Sequence, residues 1–351
     1  MKIMHLLHSD KFSGAENVVC QIIKMFSDKE EYDMLYVSPK GEISETLAEM
    51  HINYVGIEKF NIFDIRKIIC EQKIDILHAH DVSAGIVGAF ASIGTSCKIV
   101  SHMHVNHENM TKLNLKTILY GFSTLRYKRI FWVSQSAYDN YIFKNFLGYK
   151  SVILNNVISK REVIEKKDKD TNEYNFDICY VGRITYQKNP ERLVEVLKGV
   201  REYKKDLKVA IVGTGDLLEK VKQSVIDADL KENIHFYGFM SNPLKIMEGS
   251  KVMIMTSRFE GLPMSVLEAM ALGVPIVSTP VDGLKNVVVI GKTGFLENKN
   301  ECLVERLVEI INNDELREKL SKRTKEHFDN LMDLDKYKLE LKNTYDRILH
   351  F

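Results

Sequence analysis

The sequence predicts an α/β chain of two parallel-sheet domains, and three observations carry that prediction. Short apolar runs alternate with longer amphipathic stretches, the pattern of parallel strands covered by helices. At 351 residues the chain exceeds a usual single core, which sets the expectation of two domains. Between 159 and 175 the composition turns to charge, with Lys160, Arg161, Glu162, Glu165, Lys166, Lys167, Asp168, Lys169, Asp170 and Glu173, before a second strand–helix series starts at Phe176. That stretch reads as a solvated linker between an N-terminal domain, 1–158, and a C-terminal domain, 176–334. A last helix over 335–351 is expected to pack back on the first domain.

Bulk properties exclude several classes. Hydrophobic content of 45% and charged content of 28% are ordinary for a soluble globular protein. A net charge of +1 argues against nucleic-acid binding, which needs a concentrated positive field. The five cysteines are widely spaced with no CxxC, the usage of reduced, packed thiols in a cytoplasmic protein. The apolar run at Met1–His8 is too short for a signal peptide, and no 18-residue apolar stretch occurs.

In the first series, a strand over Ile3–Leu7 and a helix over Ala15–Phe26 enclose the loop Asp10-Lys-Phe-Ser-Gly-Ala-Glu16. Gly14 there permits an anion-binding corner or a plain turn; GxGxxG is absent. Strands follow at Asp33–Val37, Asn53–Val55, Ile74–His78 and Ile99–His102, with a helix at Ile62–Gln72. Histidines crowd two strand ends, in Asp75-Ile-Leu-His-Ala-His80 and Val100-Ser-His-Met-His-Val-Asn-His107. Ligands of open parallel sheets sit beyond such ends, so a substrate contact, a structural packing role and a metal site are all open. Carboxylate or Cys co-ligands at metal spacing are lacking. The segment 109–129 carries Lys112, Lys116, Arg126, Lys128 and Arg129 and no acid, with Leu115, Ile118, Leu119, Phe122 and Leu125 at helical spacing. It reads either as a face for anionic lipid or as a surface helix whose apolar stripe packs on its own sheet.

In the second series, Asp177-Ile-Cys-Tyr-Val-Gly-Arg-Ile-Thr-Tyr-Gln-Lys-Asn-Pro190 is a strand, a turn bearing Arg183 and Lys188, and a helix start. Two cations at that corner fit a diphosphate. Val209–Val212 followed by Gly213-Thr-Gly215 repeats the corner, Ile234–Gly238 is a further strand, and 293–296 reads as a turn. Val252–Met255 then leads through Phe259-Glu-Gly261 to a helix with Pro263 as its first residue. Glu260 precedes this helix and Glu268 lies inside it, so two carboxylates flank an N-terminus that favours a phosphate. A phosphate carrying a sugar on each side, as in a nucleotide sugar, matches that arrangement.

The stretch Phe259-Glu-Gly-Leu-Pro-Met-Ser-Val-Leu-Glu-Ala-Met-Ala-Leu-Gly-Val-Pro-Ile-Val277, together with Gly182-Arg-Ile-Thr-Tyr-Gln-Lys-Asn189, resembles the retaining glycosyltransferases of family 4. The resemblance implies the GT-B fold, two Rossmann-like domains facing each other across a cleft. It implies that Arg183 and Lys188 neutralise the donor diphosphate, that Glu260 holds hydroxyls of the donor sugar, and that Glu268 holds the nucleotide ribose. Gly14, Gly213, Gly261, Leu262 and Met264 join them on the donor side. His104 is placed beside the anomeric centre, with Glu16 and His102 on the acceptor side. The family loop reads Gly-Gly-x-Glu where this chain has Ser13-Gly-Ala-Glu16, so Ser13 departs from it.

The implied activity is hexosyl transfer from a nucleotide sugar, expected to be UDP-linked, to a saccharide or polyprenyl-linked acceptor in capsule or exopolysaccharide synthesis. The protein would work in the cytoplasm, at the inner face of the membrane if 109–129 binds anionic lipid. No cofactor and no metal are expected. Three D-x-D matches, Asp168 to Asp170, Asp227 to Asp229 and Asp333 to Asp335, read as chance because they do not follow buried strands. The alternatives are a nucleotide-sugar 2-epimerase of the same fold and a non-catalytic sugar-nucleotide-binding partner.

Overall fold

The computed structural model describes residues 1–104 and 108–350. The chain forms two compact units, Met1–Val157 with Leu334–Phe351, and Ile158–Asp333. The last helix, Leu334–His350, thus belongs to the first unit.

The first unit holds seven strands: β1 Lys2–Leu6, β2 Asp33–Pro39, β3 Tyr54–Ile57, β4 Ile76–His80, β5 Lys98–Met103, β6 Tyr127–Trp132 and β7 Ser151–Ile153. Their order is β3-β2-β1-β4-β5-β6-β7 and every pairing is parallel. The second unit holds β8 Phe176–Val181, β9 Val209–Val212, β10 Ile234–Gly238, β11 Ser250–Met255, β12 Ile276–Ser278 and β13 Gly294–Leu296, in the order β10-β9-β8-β11-β12-β13, again parallel throughout. Parallel sheets are covered on both faces, and β4 and β8 are accordingly buried along their whole length. Side chains of β8, β9 and β11 and of the helices Pro190–Tyr203 and Asn300–Asn312 form one core, including Ile178, Leu197, Val209, Ile254 and Leu307.

Three expectations fail locally. Residues 159–175 are not simply a linker: Lys160–Lys167 is a helix of the second unit. Ser159 Oγ caps it by accepting the Glu162 N–H at 3.3 Å, Val163 is buried, and Lys167 Nζ reaches Glu248 at 2.8 Å. Charge at one-turn spacing, as in Arg161 and Glu165 at 2.6 Å, suits a helix lying on a surface as well as a free chain. The segment 109–129 is not one amphipathic helix either. Its helix spans Leu115–Ser123, capped by Asn114 Oδ1 on the Thr117 N–H at 3.0 Å, and β6 begins at Tyr127. Lastly, β13 lies where a turn was expected, and Gly294 is there because a Cβ would sit 1.9 Å from the Ile276 carbonyl oxygen of its neighbour β12.

Candidate active site

In the second unit the expected donor residues gather at the carboxyl ends of β8, β9 and β11. After β8 the chain turns through Gly182 and Arg183, and after β9 through Gly213 and Gly215. The two turns lock backbone to backbone, Gly182 N donating to Val212 O at 3.0 Å and Ile184 N to Thr214 O at 2.8 Å. A Cβ at Gly213, where φ is +139°, would lie 1.9 Å from Gly182 O. At Gly215 it would lie 2.2 Å from Ile184 O. Gly213 is therefore a packing requirement of this corner. Arg183 itself is exposed, with Nη2 3.3 Å from Gln187 Oε1.

Lys188 is the last residue of the short 3-10 turn Tyr186–Lys188 and is buried. Its Nζ donates to Glu260 Oε1 at 2.6 Å, and Ser257 Oγ donates to the same oxygen at 2.6 Å. Gln187 Nε2 reaches Phe259 O at 3.1 Å and Glu260 Oε2 at 3.4 Å. The loop after β11 is thus tied to the loop after β8. Thr256 Oγ1 and the Arg258 side chain tighten the tie through the carbonyl of Lys188 at 3.2 Å and Asn189 Oδ1 at 2.8 Å. A buried ion pair needs such extra hydrogen bonds to offset its desolvation, and Ser257 and Gln187 supply them. Neither residue was singled out from the sequence. Their signals were weak: a serine three residues before Glu260 and a glutamine beside Lys188.

The helix after this loop runs Met264–Leu272, with Pro263 extended (φ −70°, ψ 127°) at the cap, one residue earlier than expected. As a cap, Pro263 O accepts from Leu267 N at 3.4 Å. Gly261, Leu262 and Met264 are buried where this helix begins. Gly261 O would lie 1.4 Å from a Cβ on Gly283, so the close approach of these two backbones requires glycine at 283. Glu268 is half-buried, and burial pushes its carboxyl up to about 7 against a smaller opposing pull from Lys166.

The first unit carries the residues expected on the acceptor side, together with Gly14 from the donor side, and brings His102 and His104 into contact. Ser13 is extended at φ −150°, so no glycine is needed there, and its Oγ donates to Glu16 Oε2 at 2.5 Å. Gly14 opens the helix Gly14–Phe26 and Glu16 is buried in its first turn. His102 and His104 are buried, their rings stacked with centroids 4.1 Å apart. The His104 backbone N–H donates to Asp81 Oδ1 at 2.9 Å. Burial lowers both imidazoles below the usual histidine range. His107 lies outside the described residues.

On the helix Leu115–Ser123 the side turned to the protein is Thr117, Tyr120 and Ser123, with Tyr120 Oη 2.8 Å from Ser101 Oγ. Leu115, Phe122 and, just beyond the helix, Leu125 are exposed, at 73%, 64% and 78%. Exposed Lys112, Lys116, Arg126 and Lys128 accompany them. Ile118 and Leu119 of the same stripe are half-buried, so only its Leu115, Phe122 and Leu125 part is turned to solvent. No helix among the described residues is long and apolar enough to cross a membrane.

Known proteins share this pattern. The family described as Glycosyl transferases group 1 matches residues 161–327, and the one described as Glycosyl transferase 4-like matches residues 12–134. An uncharacterized glycosyltransferase of Methanocaldococcus jannaschii is 28% identical, covering 99% of this chain and 98% of its own. The UDP-Gal:alpha-D-GlcNAc-diphosphoundecaprenol alpha-1,3-galactosyltransferase of Escherichia coli is 25% identical over 86% of this chain and 85% of its own. Anabaena HepE in complex with UDP-glucose superposes with a TM-score of 0.85, covering 99% of this chain and 100% of its own at 18% identity. The paired parallel sheets and the family matches across both units lead to one assignment: the chain belongs to the group 1 glycosyltransferases of the GT-B fold.

Proposed function

We propose that this glycosyltransferase moves a hexosyl unit from a UDP-linked sugar to a saccharide or lipid-linked saccharide acceptor in cell-surface polysaccharide synthesis, with retention of anomeric configuration and without a divalent metal. The observation that carries the reading is the buried Lys188–Glu260 pair at 2.6 Å, set beside Arg183 at the carboxyl end of β8. Breaking the anomeric C–O bond leaves charge on the diphosphate. Fixed cations at that point stabilise the charge without reorganising as it grows. An ammonium has three N–H groups, so Lys188 can keep Glu260 and still donate to phosphate. The N-terminus of the helix Met264–Leu272 adds positive potential, and together these groups take the place a metal would have.

In this reading Glu260 accepts hydroxyls of the donor sugar through Oε2, its less engaged oxygen, and Glu268 accepts from the ribose. His104 stands on the saccharide side in the first unit. The E. coli relative's use of a diphosphoundecaprenol-linked saccharide and the UDP-glucose held by HepE support the donor and acceptor classes. The exposed apolar and basic residues around Leu115–Ser123 would hold the enzyme against anionic lipid, where such an acceptor is found.

Incubation with a panel of labelled nucleotide sugars and lipid-linked saccharides tests the reading. Transfer from a UDP-sugar is expected, and neither transfer nor hydrolysis with any donor would overturn it. The rate should be unchanged by EDTA; a loss restored by a divalent ion would overturn the metal-free part.

A further inference from the structure

Five histidines of the first unit, His5, His78, His80, His102 and His104, are all buried. The sheet register sets them on one face: His5 pairs with His78 across β1 and β4, His80 pairs with His102 across β4 and β5, and 78/80 and 102/104 are alternate residues. Three of the rings form a chain. His104 Nε2 lies 2.7 Å from His80 Nδ1, and His80 Nε2 lies 3.0 Å from His5 Nδ1. Burial first, and neighbouring imidazoles second, hold His5 and His80 far below the usual range, His5 at about 3, so both are neutral.

The separations decide what joins the rings. Two imidazole nitrogens on one tetrahedral zinc, each roughly 2.0–2.1 Å from it, would be roughly 3.4 Å apart. At 2.7 and 3.0 Å the pairs instead have the spacing of N–H···N hydrogen bonds. A neutral imidazole carries one N–H and one lone pair, and His80 uses both nitrogens, so the two bonds must point the same way along the chain.

Two directions remain, and the chain's ends choose between them. One ends in an N–H at His5 Nε2, the other in an N–H at His104 Nδ1; both atoms are buried without a partner among the described residues. An orphaned N–H costs more than an orphaned lone pair, so the N–H belongs at the end better able to satisfy it. His5 is fully enclosed within β1, whereas His104 lies just past the carboxyl end of β5. Asp81 carries negative charge beside His104, which draws the proton to that end.

We infer that His5 and His80 are positioning residues: through the chain His5 Nδ1–H to His80 Nε2 and His80 Nδ1–H to His104 Nε2, they hold His104 as the Nδ1–H tautomer. His104 then carries a hydrogen-bond donor, and no base, at its Nδ1 just past the end of β5, and this N–H is what a saccharide oxygen reaching the ring would meet. This role rests on the proposed function; the tautomer does not. The groups that bear on the chain from neighbouring elements are Asp81 at the start of the helix Asp81–Ala91, His78, His102, and Tyr345 of the last helix, whose Oη is 2.8 Å from His78 Nδ1.

The test is long-range nitrogen-15 NMR on the full chain labelled at histidine, without substrate, with His104 assigned by its loss in His104→Gln. A neutral Nδ1–H signature at His104 from about pH 6 to 8 is expected. An Nε2–H signature, or a titration near pH 6.5, would overturn the inference. His5→Asn keeps a donor near the Nδ1 position and should keep the signature, with kcat within about threefold of the parent. His5→Leu removes the donor and should shift His104 toward Nε2–H and lower kcat about tenfold with donor KM unchanged. An unchanged tautomer in folded His5→Leu would equally overturn it. Absence of transferase activity alongside an Nδ1–H signature would sink the proposed function and leave the chain standing.

Discussion

Lys188 Nζ and Glu260 Oε1 lie 2.6 Å apart with both side chains buried, so the group assigned to the diphosphate and the group assigned to the sugar hold each other in place. Lys188→Ala should lower turnover by ~10²-fold or more, because it removes a cation fixed where charge develops. It should also cost about 3 kcal/mol of stability, since Glu260 stays buried with only Ser257 and Gln187 as partners. Steady-state kinetics and urea unfolding check both. A change confined to acceptor KM would remove Lys188 from the leaving group.

In the proposed function Glu268 holds the ribose, and nucleotide binding should then depend on pH. Its carboxyl is raised to about 7 by burial, and only the ionised form accepts from both ribose hydroxyls. UDP affinity should therefore strengthen as pH rises through about 7, and Glu268→Gln should flatten that dependence. Stability runs the other way. A folded value above the ordinary 4.5 means the protonated form stabilises the fold fully below 4.5, and that contribution is lost as pH rises to about 7. The melting temperature of Glu268→Gln relative to the parent should be higher at pH 8 than at pH 4.5, and calorimetry at both values reads the difference.

Gly213→Ala should disable the donor corner without touching a charged residue. The added Cβ would meet Gly182 O at 1.9 Å, backbone against backbone, at a φ of +139°. A loss of about 2 kcal/mol or more is expected, together with weaker UDP binding, because Arg183 is carried on the displaced turn. Unchanged melting and UDP titration would show that the two turns can part.

Replacing Leu115, Phe122 and Leu125 together with Ser should abolish sedimentation with anionic liposomes. These side chains are exposed, so stability should change by less than about 0.5 kcal/mol per site. Equal sedimentation of parent and variant would remove this face from the membrane.

The sequence by itself determined the two-sheet architecture and picked out the residues that the structure gathers in the loops after β8 and β11. Apolar runs of strand length between amphipathic helices state a parallel sheet, because both faces of each strand must be apolar. Arg183, Lys188 and Glu260 were legible because each lies a few residues past a strand end, where short spacing fixes position, and Glu268 because it lies inside the helix that follows. The same local logic failed at 159–175, where charge masked a helix whose one buried side chain is Val163. What lay beyond the sequence was every relationship set by register and packing. Lys188 and Glu260 are 72 residues apart, and His5 and His80 are 75 apart. Only strand pairing makes them neighbours. Helical spacing likewise gave the stripe of Leu115, Phe122 and Leu125 but not its direction. Tyr120, bonded to Ser101 and packed beside Gly85, decided that the opposite face turned inward, because a small residue on the neighbouring helix left room for that ring and not for the stripe.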